Sequence, residues 1–281
     1  MPALPWQGII FCMTTPATKG LQRPYYRRGP DYRHGDDVSF REVRQQFGFG
    51  GITVGAWVTQ EEQVRAANLV FDALADLAFL LNVPPALLGL RGRLALAFGS
   101  GGRKGVQAHY APGSRTLALA KNAGAGALAH EWWHAFDHYI AAHLYPKVLL
   151  SNDHFVMASS RFLTGDPAVP HPLNRRLEAL LATVMLSPDG AAPHDYVRRS
   201  VALDKAFGRR YFSQPTEMMA RAFEAVIQGD SRIKNAYLVS GTRQTELARA
   251  GGYPDAEHQL GIRTALLGYF EPLGQALSQR P

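Results

Sequence analysis

The chain of 281 residues has a single cysteine, Cys12. One thiol can form no intrachain disulfide and no cysteine cluster for a metal. Any metal must therefore be held by His, Asp or Glu. Long apolar runs are also missing: no stretch reaches the ~18 residues that a membrane-spanning helix needs. The start, MPALPWQGIIFC, has neither a basic leader nor a small-residue cleavage site, so it does not read as a signal peptide. Met13 is an alternative start, which would make residues 1–12 a leader. These absences point to a cytoplasmic protein with no membrane contact. A phosphate loop is absent too, because GSGGRKG (99–105) lacks the closing Lys-Ser/Thr pair.

What is present suffices for a large core. Hydrophobic residues make up 46% of the chain and charged residues 19%, the balance of a globular protein. The formal net charge is +7, which permits an acidic partner or nucleic acid without requiring one.

Residues 1–40 read as an extended arm, and residues 41–281 as one domain. The arm interleaves Lys19, Arg23, Arg27, Arg28 and Arg33 with Tyr25, Tyr26 and Tyr32, a pattern that suits weak nucleic-acid contact. A short helix is expected over 40–49, followed by a glycine-rich loop and strand over 47–57. The clearest amphipathic helix spans 60–82. Strands are expected at 94–98 and 115–121, as a hairpin or as neighbours in one sheet. The second strand leads into a helix over 126–143. Further helices are expected at 173–186, 196–207, 216–228 and 256–270. The order predicts an α+β fold, a small antiparallel-containing sheet packed on one helix, with a mostly helical second half.

Within the helix over 126–143 stands His130-Glu131-Trp132-Trp133-His134, an H-E-x-x-H motif. Residues four apart share a helix face, so both imidazoles can reach one ion. Glu131 falls beside the ion's open side, where it can take a proton from a zinc-activated water. A catalytic Zn2+ needs a third protein ligand. Asp137 and Ile140 stand where the metzincin pattern puts glycine and a further ligand, so that ligand must be remote. Glu217 in SQPTEMMARAFEA is the choice, because Ala220 and Ala222 let its helix pack closely. Glu224 shares its face, either as the alternative ligand or as a carboxylate orienting a ligand histidine. Asp137 could accept the free ring N–H of a ligand histidine, or be a surface charge. His138 reads as a supporting histidine, Trp132 and Trp133 as packing. Tyr253 could stabilise an oxyanion; His109 is a weaker candidate.

The runs RPYYRRGPDYRHGDDVSF, FGFGGITVGAWV, LALAFGSGG, AHYAPGSRTLALAKNAGAGALAHEWWHAFDHYI and SQPTEMMARAFEA resemble bacterial CLCA_X-type proteins. They are also similar to a zincin-like domain in the large polyvalent proteins of phages and conjugative elements. The likeness covers roughly residues 22–270 and is weaker over about 145–210. It implies a zincin-like metallopeptidase fold with His130, Glu131 and His134 intact. It implies that the ExxARAFE segment carries the third ligand, here Glu217. The expected activity is hydrolysis of a peptide or protein, with the edge strand near 115–121 receiving extended substrate. Two other readings remain. GAGALA (124–129), with Asp153 about 20 residues on, matches a dinucleotide fingerprint. The other is a non-catalytic zinc-binding or nucleic-acid-associated module.

Overall fold

The computed structural model describes residues 20–100, 108–121, 126–146 and 155–279. The first elements are β1 (Arg27–Arg28), α1 (Phe40–Phe47), β2 (Gly51–Val54) and α2 (Gln60–Leu81). Both helices open on a capping box, Ser39 with Glu42 and Thr59 with Glu62, in which side chain and backbone satisfy each other's orphan donors. Then come β3 (Ala95–Phe98), β4 (Ala108–Ala111), β5 (Thr116–Leu119) and α3 (Leu128–Leu144). The remainder is α4 (Ala158–Phe162), α5 (Pro172–Met185), α6 (Asp195–Phe207), α7 (Pro215–Gly229), β6 (Lys234–Asn235), α8 (Glu246–Arg249) and α9 (Ala256–Ser278).

The α+β class holds, with a small sheet and a helical second half. The sheet runs in the order β2-β3-β5-β4. β2, β3 and β5 are parallel, and β4 is antiparallel to β5. The expected strand pair is thus a parallel pair of neighbours rather than a hairpin. The hairpin partner of β5 is β4, AHYA, a segment expected only as a link between strands. Four residues with a histidine and a tyrosine carry too little apolar alternation to announce a strand. β5 lies inside the sheet, and β4 is the edge strand. The segment 115–121 is therefore not the edge to which an extended peptide could add.

Residues 20–39 are tied to the domain. β1 pairs with β6, Arg27 forms a bidentate bond to buried Asp76, and Arg33 does the same to Asp72. Two of the arm's arginines are thus spent on internal ion pairs.

α3 crosses the core. Its start depends on Gly126, at φ +102, where a Cβ would lie 2.0 Å from Ser240 Oγ. Only glycine tolerates both that backbone and that approach. The close approach lets segment 237–240 satisfy the helix entry: Gly126 N–H donates to Tyr237 O, and Ala129 N–H to Leu238 O. Trp132 stacks on Phe136 and meets Phe223 of α7 and Phe270 of α9. Fully buried Ala220 and Ala222 leave room for this approach of α7 to α3. α9 runs eight residues past its expected end, through Pro272. Among the described residues, no helix is long and apolar enough to cross a membrane.

Candidate metal centre

His130, Glu131 and His134 lie on the buried stripe of α3, and Glu217 lies in the first turn of α7. The Nε2 atoms of His130 and His134 are 3.1 Å apart. Glu217 places Oε2 3.4 Å from His130 Nε2 and Oε1 3.4 Å from His134 Nε2. Donors about 2.0–2.1 Å from a tetrahedral ion stand about 3.3–3.4 Å from one another, close to the 3.1 Å between the two nitrogens and the 3.4 Å from each nitrogen to one or the other oxygen of Glu217. Two imidazoles and one carboxylate also match the donor preference of zinc rather than of magnesium or calcium. Among the described residues this is the one group of three or more potential ligands that converges. Glu217 Oε2 is buried and makes no hydrogen bond, an orphaned acceptor that a cation would satisfy.

Glu224, seven residues along α7, approaches the opposite side of His130. Its Oε1 lies 3.3 Å from His130 Nδ1, in ion-pair range though off the line of a hydrogen bond. Glu217 thus meets both Nε2 atoms, and Glu224 stands at the far nitrogen of one ring. A carboxylate on that nitrogen fixes the ring's orientation and strengthens it as a ligand.

Glu131 accepts a 2.6 Å hydrogen bond from the Tyr110 N–H of β4. The Tyr110 hydroxyl reaches His138 Nδ1 at 2.7 Å, so this one residue clamps the edge strand to α3 at two points. Asp137 departs from the expected role. It accepts from Ser159 N–H at 2.8 Å and from Ser159 Oγ at 2.5 Å, and so caps α4 instead of a ligand histidine. The rings of His130 and His134 already point their Nε2 atoms inward. Asp137, three residues past His134, is turned toward α4. Burial pushes its carboxyl up to about 6, against the Ser159 hydrogen bonds.

The protonation equilibria follow from burial and neighbours. Burial would drive His130 to its neutral form, but the Glu224 and Glu217 carboxylates hold it well above the usual histidine value. Burial would likewise raise Glu217, but His134 and His130 keep it well below the usual carboxylate value. Glu131 is raised, chiefly by burial, against the pull of His134 and His130. A carboxylate lifted toward neutrality suits a group that must accept and return a proton.

The loops beside α7 bring two phenols to its carboxylates. Burial and Glu217 push Tyr211 well above its ordinary value, and burial and Glu224 do the same to Tyr253. Tyr253 therefore sits at Glu224, whereas Tyr211 sits at Glu217. Sequence reasoning misses Tyr211, which lies outside any motif in the turn before α7. Its position is set by Asp204, which accepts from the N–H groups of Tyr211, Phe212 and Ser213 at 2.8, 2.6 and 3.0 Å. Arg221 is fully buried and donates to Phe212 O and Gly252 O, stitching both phenol-bearing loops to α7.

His109 lies in β4. Asp153 and residues 101–107 fall outside the described residues, as do 124 and 125 of the GAGALA run.

A model of the large polyvalent protein-associated domain 1 family matches residues 203–277. The match supports the link to large polyvalent proteins. It covers Tyr211, Glu217, Arg221, Glu224 and Tyr253, and stops short of His130 and His134. No curated protein and no solved structure matches the chain.

Proposed function

We propose that the protein is a zincin-like, zinc-dependent hydrolase acting on a peptide bond, with His130, His134 and Glu217 holding the ion. The observation that carries this reading is the buried convergence of two Nε2 atoms, 3.1 Å apart, with one carboxylate that sets an oxygen 3.4 Å from each. Its place on an H-E-x-x-H helix beside an antiparallel edge strand suits the zincin-like domain that the sequence resembles. A bound zinc would supply an acidified water and polarise the carbonyl under attack.

The chain's own groups supply the rest. Tyr110 N–H holds one oxygen of Glu131, leaving Oε1 to take the proton of the attacking water. The same carboxylate then hands that proton to the leaving amine. Glu224 keeps the His130 ring in position. Tyr211 stands beside Glu217 and Glu131, where a phenol O–H can donate to a developing oxyanion, whereas Tyr253 stands beside Glu224, behind the His130 ring. Of the two, Tyr211 is nearer the ligand set, because it neighbours Glu217 and Glu131.

Glu131→Gln tests the assignment. The variant should bind zinc with wild-type stoichiometry and show no hydrolysis of a denatured-protein substrate that the wild type cleaves. Hydrolysis at the wild-type rate would remove Glu131 from the mechanism.

A further inference from the structure

Charge is unevenly distributed along this chain. Residues 77–130 contain no Asp or Glu, yet hold six Lys or Arg. The fold gathers three of those arginines, with one more, at a single end of the four-stranded sheet. Register places them there. Gly51, Ala95 and Thr116 lie side by side across β2, β3 and β5. The residues just before them are also adjacent: Gly50 N–H donates to Leu94 O, and Ala95 N–H to Arg115 O. Arg93 and Arg115 therefore emerge at this end on neighbouring strands. The turn carrying Arg91 folds over the same end, because a Cβ on Gly50 would lie 2.3 Å from Gly92 O. Arg44 reaches in from α1, its guanidinium donating to Gly50 O at 3.0 Å.

All four arginines are exposed. Among the described residues none of the four forms an ion pair, whereas Arg27 and Arg33 of the arm do. Glu42, the acid on α1, turns to the other end of its helix and binds Ser39. Two of the arginines are also held in an unfavourable backbone conformation. Arg91 has φ 58 and Arg115 φ 50, the left-handed region in which any Cβ crowds the following carbonyl oxygen. Such conformations persist where the surroundings enforce them, and they fix the direction in which each side chain leaves the backbone.

We infer that this end of the sheet, Arg44, Arg91, Arg93 and Arg115, is a docking surface for the phosphate backbone of duplex nucleic acid, separate from the metal centre. Three neighbouring strands span about 10 Å, the length of about three base steps on one strand. Guanidinium groups bind phosphate oxygens in pairs, which fits a surface built of arginine without lysine. Among the described residues Phe155 is an aromatic at this surface, but one ring is not the run of stacking platforms that single-stranded binding uses, so phosphates rather than bases are its contacts. Phe155, against Gly113 in the β4–β5 turn, is the large apolar side chain placed here, and a single ring does not make the apolar face that a membrane surface needs.

The test is fluorescence anisotropy with a labelled 24-base-pair DNA duplex of arbitrary sequence, titrated at several salt concentrations. The variant is Arg91→Asn, Arg93→Gln, Arg115→Asn; asparagine suits the left-handed positions, so the fold should survive. The control carries Arg175→Gln, Arg210→Gln and Arg249→Gln, an equal loss of charge elsewhere. The wild type should bind with steep salt dependence. The variant should bind at least about tenfold more weakly, and its log–log salt slope should be shallower by about 2.7, or 0.9 for each phosphate that the protein no longer neutralises. The control should keep the wild-type slope. Single changes Arg93→Gln and Arg115→Asn should each remove about 0.9 of the slope and serve if the triple variant unfolds. Equal losses in variant and control would overturn the assignment. So would binding to anionic phospholipid vesicles or to polyglutamate as tight as to the duplex.

Discussion

Exchanging Glu224 for glutamine separates two roles that the sequence pattern cannot. In the structure Glu217 contacts the Nε2 atoms of both histidines at 3.4 Å, while Glu224 contacts only the Nδ1 of His130 at 3.3 Å. Loss of a carboxylate behind a ligand histidine weakens metal binding about 10–100-fold, or about 1.4–2.7 kcal/mol. Loss of a ligand carboxylate removes a buried charge from direct contact with the ion, and breaking such a set costs about 3–5 kcal/mol, on the order of a thousandfold. Glu217→Gln should therefore impair zinc binding at least tenfold more than Glu224→Gln does. Competition against a chromophoric chelator gives both constants. Cobalt substitution adds a second reading: the visible band of a four-coordinate ion should survive Glu224→Gln and be lost in Glu217→Gln. If Glu224→Gln proves the more damaging, Glu224 is the ligand and Glu217 is not.

Metal affinity should also fall as pH falls. His130 is held above its usual value in the metal-free protein, so near neutral pH an incoming ion must displace a proton from it. Calorimetry in buffers of different ionisation enthalpy should register about one proton released per ion near neutrality and fewer at higher pH; no release would contradict the coupling. In the metal-free protein the same pair sets stability. His130 contributes below its unfolded value and loses that contribution as pH rises through its raised folded value. Glu217 contributes above its unfolded value and loses it as pH falls through its lowered one. Asp204→Ala strands three backbone N–H groups and should cost about 1–3 kcal/mol in urea unfolding. Asp204 is held below its usual value, net, by Ser213 and the backbone N–H groups. The stability it adds is therefore present above its unfolded value and fades in acid, so the gap between wild type and variant should narrow there. An unchanged midpoint would mean that the loop before α7 holds itself.

The longer helices were legible because their signals are local, whereas the short α4 and α8 were not expected. Periodicity, two capping boxes and the proline opening α7 state them in the sequence. The H-E-x-x-H pair was legible for the same reason, since four-residue spacing on one helix determines its own geometry. Glu217 was reachable through its small neighbours Ala220 and Ala222, but its distinction from Glu224 was not. Seven residues apart, both lie on one face, and only the orientation of the His130 ring assigns them. Strand β4 was hidden because its register comes from β5 and from the Tyr110–Glu131 bond, neither of them local. Asp137 misled because helical spacing shows which face a side chain shares and not which partner beyond the helix competes for it. The arginine cluster is likewise invisible along the chain, since Arg93 and Arg115 come together through strand pairing and Arg44 joins them through its bond to Gly50 O.

The claim beneath all of this is that two imidazoles and the Glu217 carboxylate hold one divalent ion. Elemental analysis of protein purified without added metal tests it most directly, beside His134→Ala prepared in the same way. The account predicts close to one zinc per wild-type chain and almost none in the variant. Wild-type protein free of zinc that gains none on incubation, or a variant that retains a full equivalent, would contradict it.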